Sequence, residues 1–169
     1  YARSVGLRVN LITNGTYCDA ALVERLKNAG LNSVQVSIEG TTAERHDALT
    51  RVRGSFQKSI RAVQLFLDAG ITVHTNTTLT RENLDDAPRM PELVKSLGLE
   101  RFSMNMMIPA GTGRVEQDLL PTYAEMGTHL LSIQKAARHA GVEFMWYSPT
   151  PLCLFNPIAR GLGNKGCAA

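Results

Sequence analysis

Cysteine is scarce in this sequence, and long apolar runs are absent. The 169 residues include three cysteines, Cys18, Cys153 and Cys167. This odd and widely spaced set argues against a disulfide-stapled fold and for a reducing, cytoplasmic setting. No apolar run approaches the roughly 20 residues that a membrane-spanning helix needs, and Tyr1 to Asn10 lack the apolar region of a secretory signal. We therefore expect a cytoplasmic chain that makes no membrane contact.

The sequence also has little excess of one sign of charge over the other. The formal net charge is +3, from 18 basic and 15 acidic residues, and the basic residues are scattered along the chain. The sequence therefore predicts no nucleic-acid-binding surface. A hydrophobic content of 44% with 20% charged residues is ordinary for a globular protein, and the length allows one domain with a real core.

A repeated pattern indicates the fold. At five places a glycine is followed at once by a short apolar run, as in NAGLNSVQVSI and DAGITVHTNTT. A glycine just past a helix supplies the left-handed residue that ends it. Alternating strands and helices with short turns predict βαβ units and a parallel sheet, which is an α/β fold. Apolar residues at helical spacing predict helices over Ala20–Asn28, Ser55–Asp68, Leu84–Leu97 and Tyr123–His139.

Polar side chains follow the apolar strands at their ends. In parallel α/β folds the chemistry lies at the carboxyl ends of the strands. The segments there are TNG (13–15), SIEG (37–40), NTT (76–78), NMMIP (105–109) and YS (147–148). We predict that Ser37, Asn76 and Asn105 converge on one rim. Each segment could equally be only a turn or strand end, and Thr16 could cap the next helix.

In their order and spacing, these segments resemble the radical S-adenosylmethionine (SAM) enzymes over nearly the whole chain. LITNGTYCDAALVERLKNAGLNSVQVSIEG is similar to the family's third and fourth strands. HDALTRVRGSFQKSIRAVQLFLDAGITVHTNTTLTREN is similar to the next helix and the fifth strand, and FSMNMMIPAGTGR to the sixth. The resemblance implies a partial TIM-type (β/α) barrel, strands three to seven, over residues 1–148.

The end of the chain resembles a second feature of the family. CLFNPIARGLGNKGC is similar to the opening of the SPASM extension, which binds auxiliary iron–sulfur clusters in peptide and cofactor maturases. We expect residues 149–169 to begin such an extension, with Cys153 and Cys167 as iron ligands. The family's CxxxCxxC, which holds the catalytic 4Fe–4S cluster, is not in this sequence. The resemblance implies that it precedes Tyr1.

The resemblance implies an activity and its partners. In this family, SAM is reductively cleaved to a 5′-deoxyadenosyl radical, which takes a hydrogen atom from substrate. We expect a peptide or small cofactor precursor as substrate, and an electron donor such as a flavodoxin or ferredoxin. This chain would supply part of the SAM cavity. The alternative is a non-catalytic α/β scaffold that binds a small metabolite or a partner protein.

The resemblance also implies residue roles at the SAM site. Ser37 would contact the ribose or the methionine part of SAM. Arg51 would pair with its carboxylate, with Arg53 as the alternative. The remaining expected SAM contacts are Asn76 and Thr78 at the ribose hydroxyls, Met107 and Ile108 on the adenine, and Asn14 along the cavity.

Several of these residues have structural interpretations beside the functional ones. Met107 and Ile108 could be ordinary core residues, and Glu39 is either an acid at the rim or a loop anchor. The pair His46-Asp47 is expected to organise its loop and cap the following helix, because the further ligands of a metal-dependent hydrolase are not in place. Cys18 is expected to pack in the first turn of its helix.

Overall fold

The computed structural model describes residues 1–114 and 116–162. This part of the chain forms one parallel sheet with helices between successive strands. The strands are β1 Asn10–Thr13, β2 Ser33–Ser37, β3 Thr72–Leu79, β4 Arg101–Met106 and β5 Glu143–Trp146. The α-helices are α1 Ala20–Asn28, α2 Ala43–Thr50, α3 Ser55–Asp68, α4 Met90–Ser96 and α5 Tyr123–Ala140, with 3₁₀ turns at Ala2–Val5, Ala87–Arg89, Gly111–Arg114 and Gln117–Leu119.

The order of the strands decides between two architectures. The spatial order is β1-β2-β3-β4-β5, the same as the chain order, and every neighbouring pair is parallel. Crossovers of one hand that never reverse direction place all their helices on one face of the sheet. A doubly wound sheet would instead need a reversal of strand order. The predicted α/β fold, a partial TIM-type barrel, is thereby confirmed.

The core lies between the sheet and the helices on its outer face. Val34, Val36, Phe102 and Met104 are fully buried there, and Phe66 of α3 is buried in the same cluster. Alternation along each strand places every second side chain on the opposite, inner face. Among the described helices, none is both long and apolar enough to cross a membrane.

Two predicted helices are reproduced, a third, Tyr123–His139, is observed one residue longer as Tyr123–Ala140, and the fourth begins at the wrong residue. The ranges Ala20–Asn28 and Ser55–Asp68 are observed as predicted. The helix expected from Leu84 has its α-helical part at Met90–Ser96, after a 3₁₀ turn. Pro88 and Pro91 explain the late start, because proline lacks the backbone N–H that an interior helical position needs and is tolerated only in the first turn.

The sequence analysis also missed one helix and misplaced one cap. Helix α2 was not predicted, because its buried residue is His46 rather than a row of apolar side chains. Asp19, not Thr16, caps α1 by accepting from the N–H of Leu22 at 2.7 Å. Thr16 instead donates its hydroxyl to Asn14 Oδ1 at 3.0 Å.

Candidate functional site

The inner face of the sheet carries a ladder of polar side chains near the carboxyl ends of the strands. Asn76 Nδ2 donates to Asn105 Oδ1 at 2.6 Å. The hydroxyl of Ser103 donates to Asn76 Oδ1 at 2.8 Å. Ser37 is the register partner of Asn76, so it lies on the same face one strand away. Ser37, Asn76 and Asn105 therefore converge on one side of the sheet, as predicted.

A cavity of about 430 Å³ lies beside the carboxyl ends of β1 and β2. This volume suits a small ligand, since ligand cavities are typically about 300–1,000 Å³. Ser37 and Asn14, both predicted to contact a ligand, lie in its wall. The full set of lining residues is Asn14, Thr16, Tyr17, Ser37, Glu39, His46, Thr50, Val52, Ser55 and Lys58.

The loop that carries Asn14 is fixed to helix α3. The backbone carbonyl of Asn14 accepts from the hydroxyl of Ser59 at 2.6 Å. Its side chain accepts from the N–H of Thr16 at 3.1 Å, which closes a tight turn. Gly15 is buried at a φ of 73°, and a Cβ there would lie 2.6 Å from Ala62 Cβ. The close approach of α3 therefore determines where Asn14 stands on the rim.

Glu39 brings a largely buried carboxyl group to the cavity. Its Oε2 accepts from the N–H of Thr78 at 2.8 Å, and its own N–H donates to His46 Nδ1 at 3.0 Å. Burial raises the pKa of Glu39 to about 7, partly opposed by the hydrogen bond from Thr78. Glu39 thus ties β2 to β3 and also exchanges a proton near neutral pH.

His46 and Asp47 organise the connection between α2 and α3, as predicted. The carboxylate of Asp47 accepts from the N–H of Phe56 at 2.9 Å and of Gly54 at 2.5 Å, and from the Ser55 hydroxyl at 3.0 Å. These bonds, with Phe56 first, lower the pKa of Asp47. Burial lowers the pKa of His46. The first donors of α3 are therefore satisfied within the protein.

The two arginines expected near a carboxylate lie outside the cavity wall. Arg51 is exposed, has a left-handed backbone with φ of 56°, and pairs with Glu116 at 2.7 Å. The pairing raises the pKa of Arg51. Arg53 lies in a separate hollow beside Asp47. Neither arginine is therefore among the residues that line the cavity.

The other predicted ligand contacts lie along the rim beyond this cavity. Thr78 is half-buried on β3, and its N–H is already used by Glu39. The N–H of Met107 donates to the Leu79 carbonyl at 3.0 Å, and Ile108 is 64% exposed. The alternative that Ile108 is an ordinary core residue is therefore wrong.

The cysteines divide by environment. Cys153 is exposed and unpaired, while Cys167 lies outside the described residues, so their shared role as iron ligands stays a prediction. Cys18 packs against the core, as expected, although it precedes α1 rather than lying in it. Burial, followed by the charge of Asp19, raises its pKa. Within residues 1–114 and 116–162, no group of three His, Cys, Asp or Glu could hold a metal ion.

Sequence reasoning missed several residues of the cavity wall. Tyr17 and Val52 are 92% and 50% exposed, and they flank the cavity from two different loops. Lys58 stands on the first turn of α3. Tyr17 lies four residues after the end of β1, so its position after a strand end was an available signal, whereas Val52 and Lys58 follow α2 and had none. The remaining additions are Thr16, Thr50 and Ser55.

Comparison with known proteins identifies relatives of this chain. Residues 1–94 match the family described as "Radical SAM superfamily". The AdoMet-dependent heme synthase of Methanosarcina barkeri is 33% identical over 129 residues, which cover 76% of this chain and 37% of that protein. The PqqA peptide cyclase of Granulibacter bethesdensis is 29% identical over 128 residues, covering 75% of this chain and 34% of that protein.

A solved structure gives the same fold. Streptococcus suis SuiB, bound to the precursor peptide SuiA, matches with a TM-score of 0.74 at 16% identity, over 94% of this chain and 35% of that one. At this identity the likeness concerns the fold alone. The chain spans about a third of the length of the curated relatives it matches.

Proposed function

Because the chain belongs to the radical SAM superfamily, we propose that its polar rim forms part of a SAM-binding cavity in an enzyme that modifies a peptide or a cofactor precursor. The names of the relatives support both substrate classes, since one is a heme synthase and another a peptide cyclase. When SAM is bound, a reduced iron–sulfur cluster would cleave it and so supply a 5′-deoxyadenosyl radical for hydrogen abstraction.

One observation carries the proposal. Ser37, Asn76 and Asn105, from three successive strands, lie on one inner face, and Ser37 also lines a cavity of suitable size. SAM carries a ribose diol, an adenine edge and an amino-acid end, and each needs polar partners. Within the described residues, the hydroxyl of Ser37 makes no hydrogen bond to the protein, so it is available to a ligand.

The proposed contacts divide along the rim. Ser37 and Asn14 face the cavity, whereas Asn76 and Thr78 would meet the ribose hydroxyls from β3. Met107 and Ile108 would pack on the adenine. With Met107 N–H bonded to Leu79, the carbonyl oxygen of Met107 is the backbone group left to accept from the adenine amine.

The residues described here do not fit the catalytic 4Fe–4S cluster. Such a cluster needs Cys thiolates, and no group of three candidate ligands occurs among residues 1–114 and 116–162. We therefore assign this chain to SAM positioning. Cys153 and Cys167 are proposed as ligands of an auxiliary cluster at the start of a SPASM-type extension. A flavodoxin or ferredoxin is the proposed electron donor, and the cytoplasm the proposed location.

SAM cleavage tests the proposal. The complete gene product that contains residues 1–169 is reconstituted anaerobically with iron and sulfide, reduced, and incubated with SAM. We expect 5′-deoxyadenosine and methionine in equal amounts. A product that is fully loaded with iron and sulfide but binds and cleaves no SAM contradicts the proposal and favours the non-catalytic scaffold.

Ser37→Ala in the same gene product is expected to weaken SAM binding about three- to tenfold, because one hydrogen bond to the ligand is lost. The free energy of unfolding should change little, since the Ser37 hydroxyl has no hydrogen-bond partner within the described residues. Equilibrium dialysis with labelled SAM measures the affinity.

Ser33→Ala provides the matched control for this prediction. Ser33 is the first residue of the same strand and bonds Asn10 at 2.9 Å, far from the rim. It should leave SAM affinity unchanged. Equal SAM affinity for Ser37→Ala and the parent protein would remove Ser37 from the site.

A further inference from the structure

The outer surface of the protein carries a groove between α4 and α5, the two helices that precede β4 and β5. Its volume is about 870 Å³. Ala136 and Ala140 are its half-buried lining residues, so its deepest part is small and apolar. The groove includes the last turns of both helices, at Lys95 and Arg138. Because each helix leads into the start of a strand, the groove lies toward the opposite edge of the sheet from the polar rim.

The walls of this groove concentrate the positive charge of the chain. Lys95, Lys135 and Arg138 are exposed there, and Glu92 is the one carboxylate in the lining. Three cations and one carboxylate give a charge of +2, out of +3 for all 169 residues. Among the described residues, none of the three cations forms an ion pair. Their charges are therefore available to an anionic partner.

Helix stability accounts for only part of this pattern. Cations near the C-terminus of a helix complement its dipole, and Lys95 and Arg138 stand in such last turns. Lys135 precedes the last turn of α5. Compensation of two helix dipoles also does not require that cations from both helices line one groove with an apolar bottom.

The dimensions of the groove suit a short extended peptide. Along α5 its lining runs from Ser132 to Ala140, which is about 12 Å at 1.5 Å per helical residue. An extended peptide rises about 3.3 Å per residue, so about four residues fit. Single-stranded nucleic acids are commonly held by stacking on aromatic rings as well, and among the described residues no Phe, Tyr or Trp lines the groove. An acidic peptide therefore matches the groove better than a nucleic acid does.

We propose that this groove binds a short acidic segment of a separate partner protein, about four residues with two or three Asp or Glu side chains. The carboxylates form charge-assisted hydrogen bonds to Lys95, Lys135 and Arg138, and the peptide backbone lies over Ala136 and Ala140. Docking here leaves the polar rim open. The proposal is therefore independent of the function proposed for the rim.

The test compares two labelled peptides on the complete gene product that contains residues 1–169. One peptide carries four consecutive Glu residues and the other carries Gln in their place, and fluorescence anisotropy at low salt measures binding. We expect the parent protein to prefer the Glu peptide. A groove variant with Lys95→Gln, Lys135→Gln and Arg138→Gln should bind the Glu peptide about tenfold more weakly, because three exposed charge pairs are lost. Salt should weaken binding to the parent protein, as it screens exposed charges.

A matched control removes the same charge elsewhere. Arg25→Gln, Lys27→Gln and Arg61→Gln together neutralise three exposed cations on α1 and α3, outside the groove. This control should bind the Glu peptide almost as tightly as the parent protein does. Both triple variants should unfold at nearly the parent temperature, since exposed substitutions seldom change stability much.

Three results would overturn the proposal. In the first, the groove variant and the control bind the Glu peptide equally, whether or not the groove variant is less stable. In the second, the parent protein does not prefer the Glu peptide, as expected if another part of the chain covers the groove. In the third, a labelled thymidine oligonucleotide with four phosphates binds as tightly as the peptide. A parent protein that binds the Glu peptide but not SAM contradicts the proposed function alone.

Discussion

Gly15→Ala is expected to lower the free energy of unfolding by about 3 kcal/mol. Two costs combine at this site. Alanine at the observed φ of 73° is strained by about 1 kcal/mol. The new Cβ would also lie 2.6 Å from Ala62 Cβ, and overpacking of this kind costs about 1–3 kcal/mol. Ala62 cannot rotate away, since its Cβ is fixed to the backbone of α3. Urea unfolding followed by circular dichroism measures the change.

Gly70→Ala isolates the steric part of this effect. Gly70 has nearly the same φ, 74°, but a Cβ there meets nothing within 4 Å. We expect a loss of about 1 kcal/mol from backbone strain alone. If the two variants are equally stable, α3 can shift away from Gly15, and the rim loop is less firmly placed than its contacts indicate.

Glu39→Gln is expected to stabilise the protein at pH 8 and to have little effect at pH 4.5. The pKa of Glu39 rises from 4.5 to about 7 on folding because the carboxyl is buried. Between these values the folded protein retains a proton that the unfolded chain has released, so stability falls as pH rises through this window. Glutamine carries no charge to bury. The gain above pH 7 should reach about 2–3 kcal/mol, allowing for the partial exposure of the residue.

Thermal unfolding at several pH values checks this result. The difference between Glu39→Gln and the parent protein is the useful quantity, because titration of His46 and other groups contributes equally to both. Glu24→Gln, which removes a carboxylate from the exposed side of α1, shows the effect of losing one surface charge. A difference between Glu39→Gln and the parent that is constant from pH 4.5 to 8 would show that Glu39 ionises as freely in the folded protein as in the unfolded chain.

The sequence predicted helices correctly where residues at helical apolar spacing are followed by a glycine. Helices α1 and α3 were predicted to the residue because each has an apolar stripe and a glycine just beyond its end. Helix α2 could not be found in this way, since a histidine fills its buried position. For α4 the apolar pattern began before Pro88, and the backbone restriction of proline prevailed over that pattern.

The candidate site was predictable only along the strands. The rule that strand ends share one edge placed Ser37, Asn76 and Asn105 together, and their register and hydrogen bonds agree. Lys58 could not be found by this rule, because its position depends on how α3 leans toward the β1 loop. The pairing of Arg51 with Glu116 likewise joins residues 65 positions apart, and no local pattern reports such a distance.

The strand order also has a consequence for how the chain folds. Each strand pairs with the strand immediately before it along the chain, so no pairing has to wait for a distant segment to be synthesised. Contacts between segments that are close in the chain favour rapid folding. Domains also begin to fold from the N-terminus during synthesis. Each new strand and its helix can dock on an edge that is already formed. The growing edge is therefore exposed only until the next unit leaves the ribosome.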